Sequence, residues 1–135
     1  MQHLHTVGLL AIRQKKLLLA YSRNKNCFYL PGGKLDAGES PIEGLCREIG
    51  EELGVWLGPA DMSYYIHISA PAFGEKEGTM MEQDCFLLLR DVEPRASAEI
   101  GALRHFSLHE YLQEPTQAPG AVMILEELTK AGLIE

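Results

Sequence analysis

The stretch GGKLDAGESPIEGLCREIGEELGV, Gly32–Val55, decides how the whole chain is interpreted. Within it, Ser40 is a suitable N-cap residue, Pro41 suits the first helical position, and Glu43 can complete a reciprocal capping box. A glycine at position 54 is a common helix stop. The stretch therefore predicts a glycine-containing turn followed by a helix that ends just before Gly54.

The predicted helix carries two stripes of side chains with different chemistry. A helical wheel groups four aliphatic residues on one narrow stripe, Ile42, Leu45, Ile49 and Leu53. A second stripe beside it carries three carboxylates, Glu48, Glu51 and Glu52. Such like charges repel one another by a few tenths of a kcal/mol per pair in water. The stripe is therefore either a solvated acidic face or a site for a hard cation such as Mg²⁺, and the helix alone leaves both interpretations open.

The full spacing resembles the Nudix box, GX5EX7REUXEEXGU, in which U is a bulky aliphatic residue. Every fixed position of that pattern is matched, by Gly33, Glu39, Arg47, Glu48, Ile49, Glu51, Glu52, Gly54 and Val55. The segment EIGALRHFSLHEYL, residues 99–112, also resembles the family, with His105 where a tryptophan is usual. The chain is thus identified as resembling a Nudix hydrolase with its box at residues 33–55.

The resemblance implies roles for the residues that match the box. Glu48, Glu51 and Glu52 resemble the metal-binding glutamates of the family, which implies Mg²⁺ as the cofactor with Mn²⁺ as a substitute. Arg47 and Glu39 resemble the internal pair that holds the loop against the helix. Gly32 or Gly33 would supply a backbone carbonyl at the site.

The resemblance also leaves the general base open, because in relatives it comes either from the box or from a loop elsewhere. Glu51 and Glu52 are the first candidates in this chain. The candidates outside the box are carboxylates in a predicted loop and beside predicted strands, Glu75, Glu77, Glu82 and Glu99.

A few residues outside the box are candidates for contacts with the rest of a substrate. Tyr29, Tyr65 and Phe73 can stack on a base, although such aromatics more often fill the core or cover the surface. Lys25 precedes the box and can meet phosphate. His67 lies between two isoleucines in a predicted strand, so its side chain points away from theirs and is a candidate pocket residue.

The pattern of the whole chain favours one α+β domain over residues 1–135, with the Nudix fold, an α/β/α sandwich of helices on a mixed sheet. The predicted strands are residues 4–12, 16–22, 62–71 and 82–90. The first two are joined as a hairpin by a short polar link, and PGG at residues 31–33 is a turn with a position open to positive φ. Further helices are expected at residues 107–113 and 120–133.

Composition limits the partners and the compartment. The 135 residues carry a net charge of −7, so we do not expect nucleic acid as a partner. No apolar run approaches the length of a membrane span, and three widely spaced cysteines suit reduced thiols in the cytoplasm. A homodimer stays an open option.

Three functions compete on this basis. The first is Mg²⁺-dependent hydrolysis of a (d)NTP to NMP and pyrophosphate, which resembles the small MutT-like branch and its housecleaning role. The second is hydrolysis of ADP-ribose, another ADP-sugar or a dinucleoside polyphosphate on the same scaffold. The third is a non-catalytic module that binds a nucleotide, which the intact box disfavours.

Overall fold

The computed structural model describes residues 2–135, in which eight β-strands and three α-helices follow one another. The strands are β1 (Gln2–Leu10), β2 (Ile12–Arg13), β3 (Lys16–Ser22), β4 (Cys27–Tyr29), β5 (Gly32–Lys34), β6 (Met62–Pro71), β7 (Thr79–Leu88) and β8 (Ile100–Phe106). The helices are α1 (Pro41–Leu53), α2 (Leu108–Tyr111) and α3 (Pro119–Lys130). Within this described range, no helix is long and apolar enough to cross a bilayer.

One sheet has the strand order β5-β1-β7-β6 and is mixed. Strands β1 and β7 run parallel with Thr6 opposite Gln83, whereas β5 pairs with β1 and β6 pairs with β7 in antiparallel fashion. The second sheet is antiparallel and is built around β3, which pairs with β2, β4 and β8. The predicted α+β class and mixed sheet are confirmed, and the structure adds the second sheet.

Helices cover the two faces of the mixed sheet. Leu9 and Leu10 are consecutive in β1 and point to opposite faces, because side chains alternate along a strand. Leu9 belongs to a core cluster with the apolar stripe of α1, whose Leu45, Ile49 and Leu53 are fully buried. Leu10 belongs to a second cluster together with several residues of α3, Ala121, Ile124, Leu125 and Leu128.

The ends of helix α1 follow the local signals in the sequence. The Ser40 side chain accepts a hydrogen bond from the Glu43 backbone N–H, and the Glu43 carboxylate accepts one from the Ser40 backbone N–H. Gly54 ends the helix with φ of 64°. The predicted capping box, first residue and stop are confirmed, so the carboxylate stripe has a fixed position relative to the preceding loop.

Three predictions about strands are corrected. The hairpin consists only of β2 and the start of β3, because all of β1, which ends at Leu10, pairs within the mixed sheet. Two of the three PGG residues start β5 and pair with β1, although Gly32 does have the expected positive φ, at 143°. Strand β8 was not predicted as a strand at all, and it lies along β3 as its antiparallel neighbour.

Candidate active site

The buried carboxylate of Glu52 lies against the start of β5. The Gly32 backbone N–H donates to Glu52 Oε1 at 3.1 Å, and only 6% of Glu52 is exposed. Burial raises the pKa of Glu52 to about 8, because the charged form loses hydration that one hydrogen bond offsets only in part. A buried carboxylate with a single backbone donor can therefore still receive a further ligand.

Glycines bring β5 close to both β1 and the helix. A Cβ at Gly32 would lie 2.0 Å from the Val7 carbonyl oxygen, so only glycine allows this part of β5 to pair with β1. A Cβ at Gly33 would lie 2.6 Å from Glu48 Oε2, so the Glu48 carboxylate rests directly on the glycine backbone. Burial also raises the pKa of Glu48. The two glycines thus let two carboxylates of α1 lie against the backbone of β5.

Arg47 ties the loop before α1 to the helix. Its Nε donates to Glu39 Oε2 at 2.6 Å and its Nη2 to Glu39 Oε1 at 3.0 Å, which forms a two-point ion pair. Nη2 also donates to the Lys34 carbonyl at 3.1 Å, and Nη1 donates to Glu48 at 2.9 Å. The guanidinium lowers the pKa of Glu39 to about 2. Neither Arg47 nor Glu39 lines the cleft, so both act by positioning other residues.

Glu51 occupies a different environment from the other two carboxylates of the stripe. Its side chain is more than half exposed, and its carboxylate lies 3.4 Å from Arg47 Nη1. It does not line the cleft that contains Glu48 and Glu52. The role of Glu51 as a metal ligand or base stays a prediction, and the structure places it on the outer side of Arg47.

A cleft of about 380 Å³ begins at the glutamates and extends across the mixed sheet to α3. One end is polar and contains Gly32, Gly33, Glu48 and Glu52. The opposite end is mainly apolar and is lined by Leu4, Leu30, Pro71, Met81, Ala118 and Ala121. The cleft therefore offers a charged section next to an apolar section, within a volume typical of small-molecule sites.

The polar end fits a hard divalent cation by the chemistry of its donors. Mg²⁺ usually takes one or two carboxylates and fills its remaining positions with water and substrate phosphate oxygens. Glu48 and Glu52 supply two carboxylates at the cleft, and the β5 backbone supplies carbonyl oxygens. No group of three or more His, Cys, Asp or Glu side chains in residues 2–135 is arranged to hold a metal by itself. A site completed by substrate and water matches this arrangement.

The structure shows which candidates for the general base line the cleft and which do not. Besides Glu52, both Glu75 and Glu99 line the cleft. Lys25 and Lys34 lie 3.6 and 3.4 Å from Glu75, and Glu99 accepts from the Ser22 hydroxyl and the Asn24 amide. The other two outside candidates, Glu77 and Glu82, are not part of the lining.

The structure also separates the other candidate contacts. Tyr29, Phe73 and Lys25 line the cleft, and the Lys25 ammonium lies 5.3 Å from the centre of the Tyr29 ring. Tyr65 instead packs against the core cluster under α3. The hypothesis that His67 is a pocket residue is wrong, because the cleft lies on the side of the sheet that carries Met81 and Gln83. His67 is exposed on the opposite face.

Two residues of the cleft were missed in the sequence, Thr6 and Gln83. Both are polar and both are less than a tenth exposed. Neither belongs to a motif. They meet only because β1 and β7 pair in parallel, a long-range contact for which the local sequence gives no signal.

Comparison with known proteins now decides the family. The model of the NUDIX domain matches residues 2–128. The chain belongs to the Nudix family. It is a Nudix hydrolase with the Nudix fold, and the predicted resemblance is confirmed. No curated protein sequence matched the chain.

Three solved structures illustrate which proteins share this fold. The ORF135 protein of E. coli has 27% identity and a TM-score of 0.73, with 97% of this chain and 94% of that chain covered. A MutT NUDIX hydrolase from Burkholderia pseudomallei has 25% identity and a TM-score of 0.76, with 95% and 99% covered. An ADP-ribose pyrophosphatase from Streptococcus suis has 19% identity and a TM-score of 0.65, with 96% and 91% covered, and shows the fold alone.

Proposed function

We propose that this Nudix hydrolase converts a (d)NTP to the nucleoside monophosphate and pyrophosphate, with Mg²⁺ as its cofactor and Mn²⁺ as a substitute. The observation that carries the proposal is that one cleft contains the box carboxylates Glu48 and Glu52, an apolar section, and the aromatic rings of Tyr29 and Phe73. A nucleotide likewise joins a polyphosphate to a planar base. The similarity to a MutT NUDIX hydrolase at 25% identity supports the MutT-like assignment.

The polar end is assigned to the phosphates. Glu48 and Glu52 would hold the cation, with Glu51 as the third predicted ligand and a β5 carbonyl at Gly32 or Gly33 as a backbone ligand. A bound divalent cation supplies positive charge against the polyphosphate and lowers the pKa of a water molecule. Water attack on one phosphorus of the anhydride would then break the phosphoric anhydride bond, and the phosphate group on the other side of that bond would leave with its electrons.

The proton of the attacking water needs a carboxylate acceptor. The box glutamates remain the first candidates, and Glu52 is the one that lines the cleft. Glu75 and Glu99 are the outside candidates that line the same cleft, whereas the partly buried Glu82 lies outside it and already accepts hydrogen bonds from His67 and Ser69. Arg47 and Glu39 contribute by holding the loop and the Glu48 carboxylate in place.

Lysines at the cleft bring positive charge to a chain with an overall net charge of −7. Lys25 and Lys34 both line the cleft, and both lie near Glu75. A polyphosphate that enters this end would therefore meet ammonium groups as well as the cation. Four carboxylates line the same cleft, Glu48, Glu52, Glu75 and Glu99, so a bound cation is still needed to offset the repulsion that an acidic protein exerts on a polyanion.

Hydrolysis of ADP-ribose or another ADP-sugar is the second candidate, with dinucleoside polyphosphates in the same group. The cleft carries only one end built for phosphate, and that end fits the diphosphate of either class. The fold shared with an ADP-ribose pyrophosphatase keeps this candidate open. We further propose a single catalytic domain in the cytoplasm, and a homodimer is left to measurement.

The test is product analysis with purified protein. The (d)NTPs, ADP-ribose and a dinucleoside tetraphosphate are each incubated with Mg²⁺ or Mn²⁺, and the products are resolved by chromatography, with a chelator as the metal-free control. NMP together with pyrophosphate supports the proposal. AMP together with a sugar phosphate supports the second candidate instead, and no product from any nucleotide with either metal overturns both.

A further inference from the structure

The floor of the cleft contains a buried hydroxyl that has no hydrogen-bond partner among the described residues. Thr6 is 6% exposed and lines the cleft, and its Oγ1 is the only buried side-chain oxygen or nitrogen in residues 2–135 without a hydrogen-bond partner. Leaving such a group unpaired lowers the stability of the folded protein. Valine has nearly the same shape and would avoid this cost, so the hydroxyl points to a partner that arrives with the ligand.

A second polar side chain lies directly beside Thr6. Gln83 is opposite Thr6 in the pairing of β1 with β7, so the two side chains share a face of the sheet. Gln83 is 7% exposed, and its side chain receives one weak contact, from the Cys85 thiol to Oε1 at 4.0 Å. Its Nε2 has no protein partner within the described residues and keeps some access to solvent. Two polar side chains therefore converge on one spot.

The backbone makes room for the carboxamide. A Cβ at Gly8 would lie 3.2 Å from Gln83 Cδ and Nε2 and 2.9 Å from Leu30 Cδ1, so the glycine lets the carboxamide lie flat on β1. Gly8 is also the partner of Gly32 across β1 and β5. The floor of the cleft therefore lies one strand pairing away from the Gly32 backbone N–H, which donates to Glu52.

The remaining surfaces near the floor determine what kind of ligand fits. The walls around the two polar groups are aliphatic or aromatic, with Leu4, Leu30 and Met81 among them. A sugar would bring several hydroxyls that these walls cannot pair, and each unpaired group costs free energy. A purely apolar ligand would leave Thr6 and Gln83 unpaired. A planar ring with apolar faces and a polar edge satisfies both conditions.

We propose that Gln83 and Thr6 bind the edge of the substrate's nucleobase and set the base preference of the enzyme. A carboxamide presents an acceptor next to a donor in one plane, and this pair matches a base edge that carries a donor next to an acceptor. The Thr6 hydroxyl donates to or accepts from a neighbouring atom of the same edge. The inference rests on the proposed nucleotide substrate and names which part of the cleft recognises the base.

The test compares shape-conserving variants with matched controls. Thr6→Val and Gln83→Met remove the polar groups and nearly keep the volume, whereas Thr79→Val and the exposed Gln113→Met make the same changes outside the cleft. Each variant is measured for KM and kcat on the (d)NTP panel and for thermal stability. We expect KM for the best substrate to rise about tenfold for Gln83→Met and about threefold to tenfold for Thr6→Val, with kcat little changed.

Stability separates recognition from a structural role. Because Thr6 Oγ1 has no partner in the protein, Thr6→Val should leave Tm unchanged or raise it while KM rises. If KM and the order of base preference are the same in Thr6→Val and Gln83→Met as in the wild type, the inference is overturned, and a water molecule is the partner of the hydroxyl.

A binding measurement keeps this inference distinct from the proposed function. Nucleoside monophosphates are titrated into isotope-labelled wild type and the two variants without metal. The backbone amide resonances of β1 and β7 are followed by NMR in all three proteins, and the Gln83 side-chain amide resonance is followed in the wild type and in Thr6→Val. A shift that saturates in the wild type and weakens in Thr6→Val supports base recognition even where no nucleotide is hydrolysed. Equal affinity of the three proteins contradicts base recognition even where hydrolysis is found.

Discussion

The Gly32 backbone N–H donates to the Glu52 carboxylate across 3.1 Å, and this contact joins the residue just before the Nudix box to the helix of the box. Gly32 belongs to β5, which pairs with β1, and Glu52 belongs to the last turn of α1. The contact fixes a buried carboxylate at the end of the cleft where the sheet meets the helix. The carboxylates of α1 that repel one another therefore lie where a bound cation can offset their repulsion.

The contact between Gly33 and Glu48 predicts the effect of adding one methyl group. In Gly33→Ala the new Cβ would lie 2.6 Å from Glu48 Oε2, so the carboxylate must shift from its present position at the cleft. We expect kcat/KM to fall at least tenfold, whereas the fold, measured by circular dichroism, is kept. Gly58→Ala is the matched control, because its Cβ would meet nothing closer than 4.0 Å. Unchanged kcat/KM in Gly33→Ala would show that the position of Glu48 is unimportant.

The ion pair between Arg47 and Glu39 predicts a loss of stability in acid. The pKa of Glu39 is lowered from 4.5 to about 2, so its ionised form stabilises the folded state fully above pH 4.5. That contribution should decline as the pH falls from 4.5 towards 2, where Glu39 becomes protonated. Chemical unfolding of wild type and Glu39→Gln across pH 2–7 measures it. The wild type should be the more stable protein at pH 6, and the difference should shrink steadily below pH 4.5. A difference that does not depend on pH contradicts the ion pair.

The exposed face of the mixed sheet predicts a shifted histidine titration. His67 Nε2 lies 2.9 Å from Glu82 and its Nδ1 lies 2.9 Å from Asp84, and these contacts raise the pKa of His67 above 6.5. The stabilisation from protonated His67 is complete below pH 6.5 and is lost as the pH rises through the raised pKa. NMR titration should give a His67 midpoint above 6.5, which moves down in Glu82→Gln. A midpoint at or below 6.5 in the wild type is the opposite outcome.

Helix α1 could be predicted from the sequence to the residue because its signals are local. The capping box of Ser40 and Glu43 and the stop at Gly54 depend on neighbours within one or two turns. The box spacing likewise brought Glu48 and Glu52 to one site. The exposed position of Glu51 could not be predicted, because a helical wheel does not show which side of α1 is covered by the preceding loop and by Arg47.

The sheets were harder to predict because their partners are distant in the chain. The sequence predicted that β1 pairs with β3. In the structure β1 pairs with β7, and α1 and α3 bury its apolar residues on the two faces of the sheet. Strand β8 has a weak pattern, since Gly101 and Ala102 are exposed and only its ends are buried. The pairing of Thr6 with Gln83 depends on the parallel register of β1 and β7, so no local pattern could place the floor of the cleft.

The most direct test of the central claim is the rate of (d)NTP hydrolysis by Glu52→Gln. This substitution keeps the size of the side chain and removes the charge that the cleft offers to a cation. Glu126→Gln, an exposed change on α3, is the control. We predict that Glu52→Gln lowers kcat at least a hundredfold with saturating Mg²⁺ while Glu126→Gln stays at the wild-type rate. Equal rates for the two variants would contradict a catalytic centre built on the buried carboxylate of Glu52.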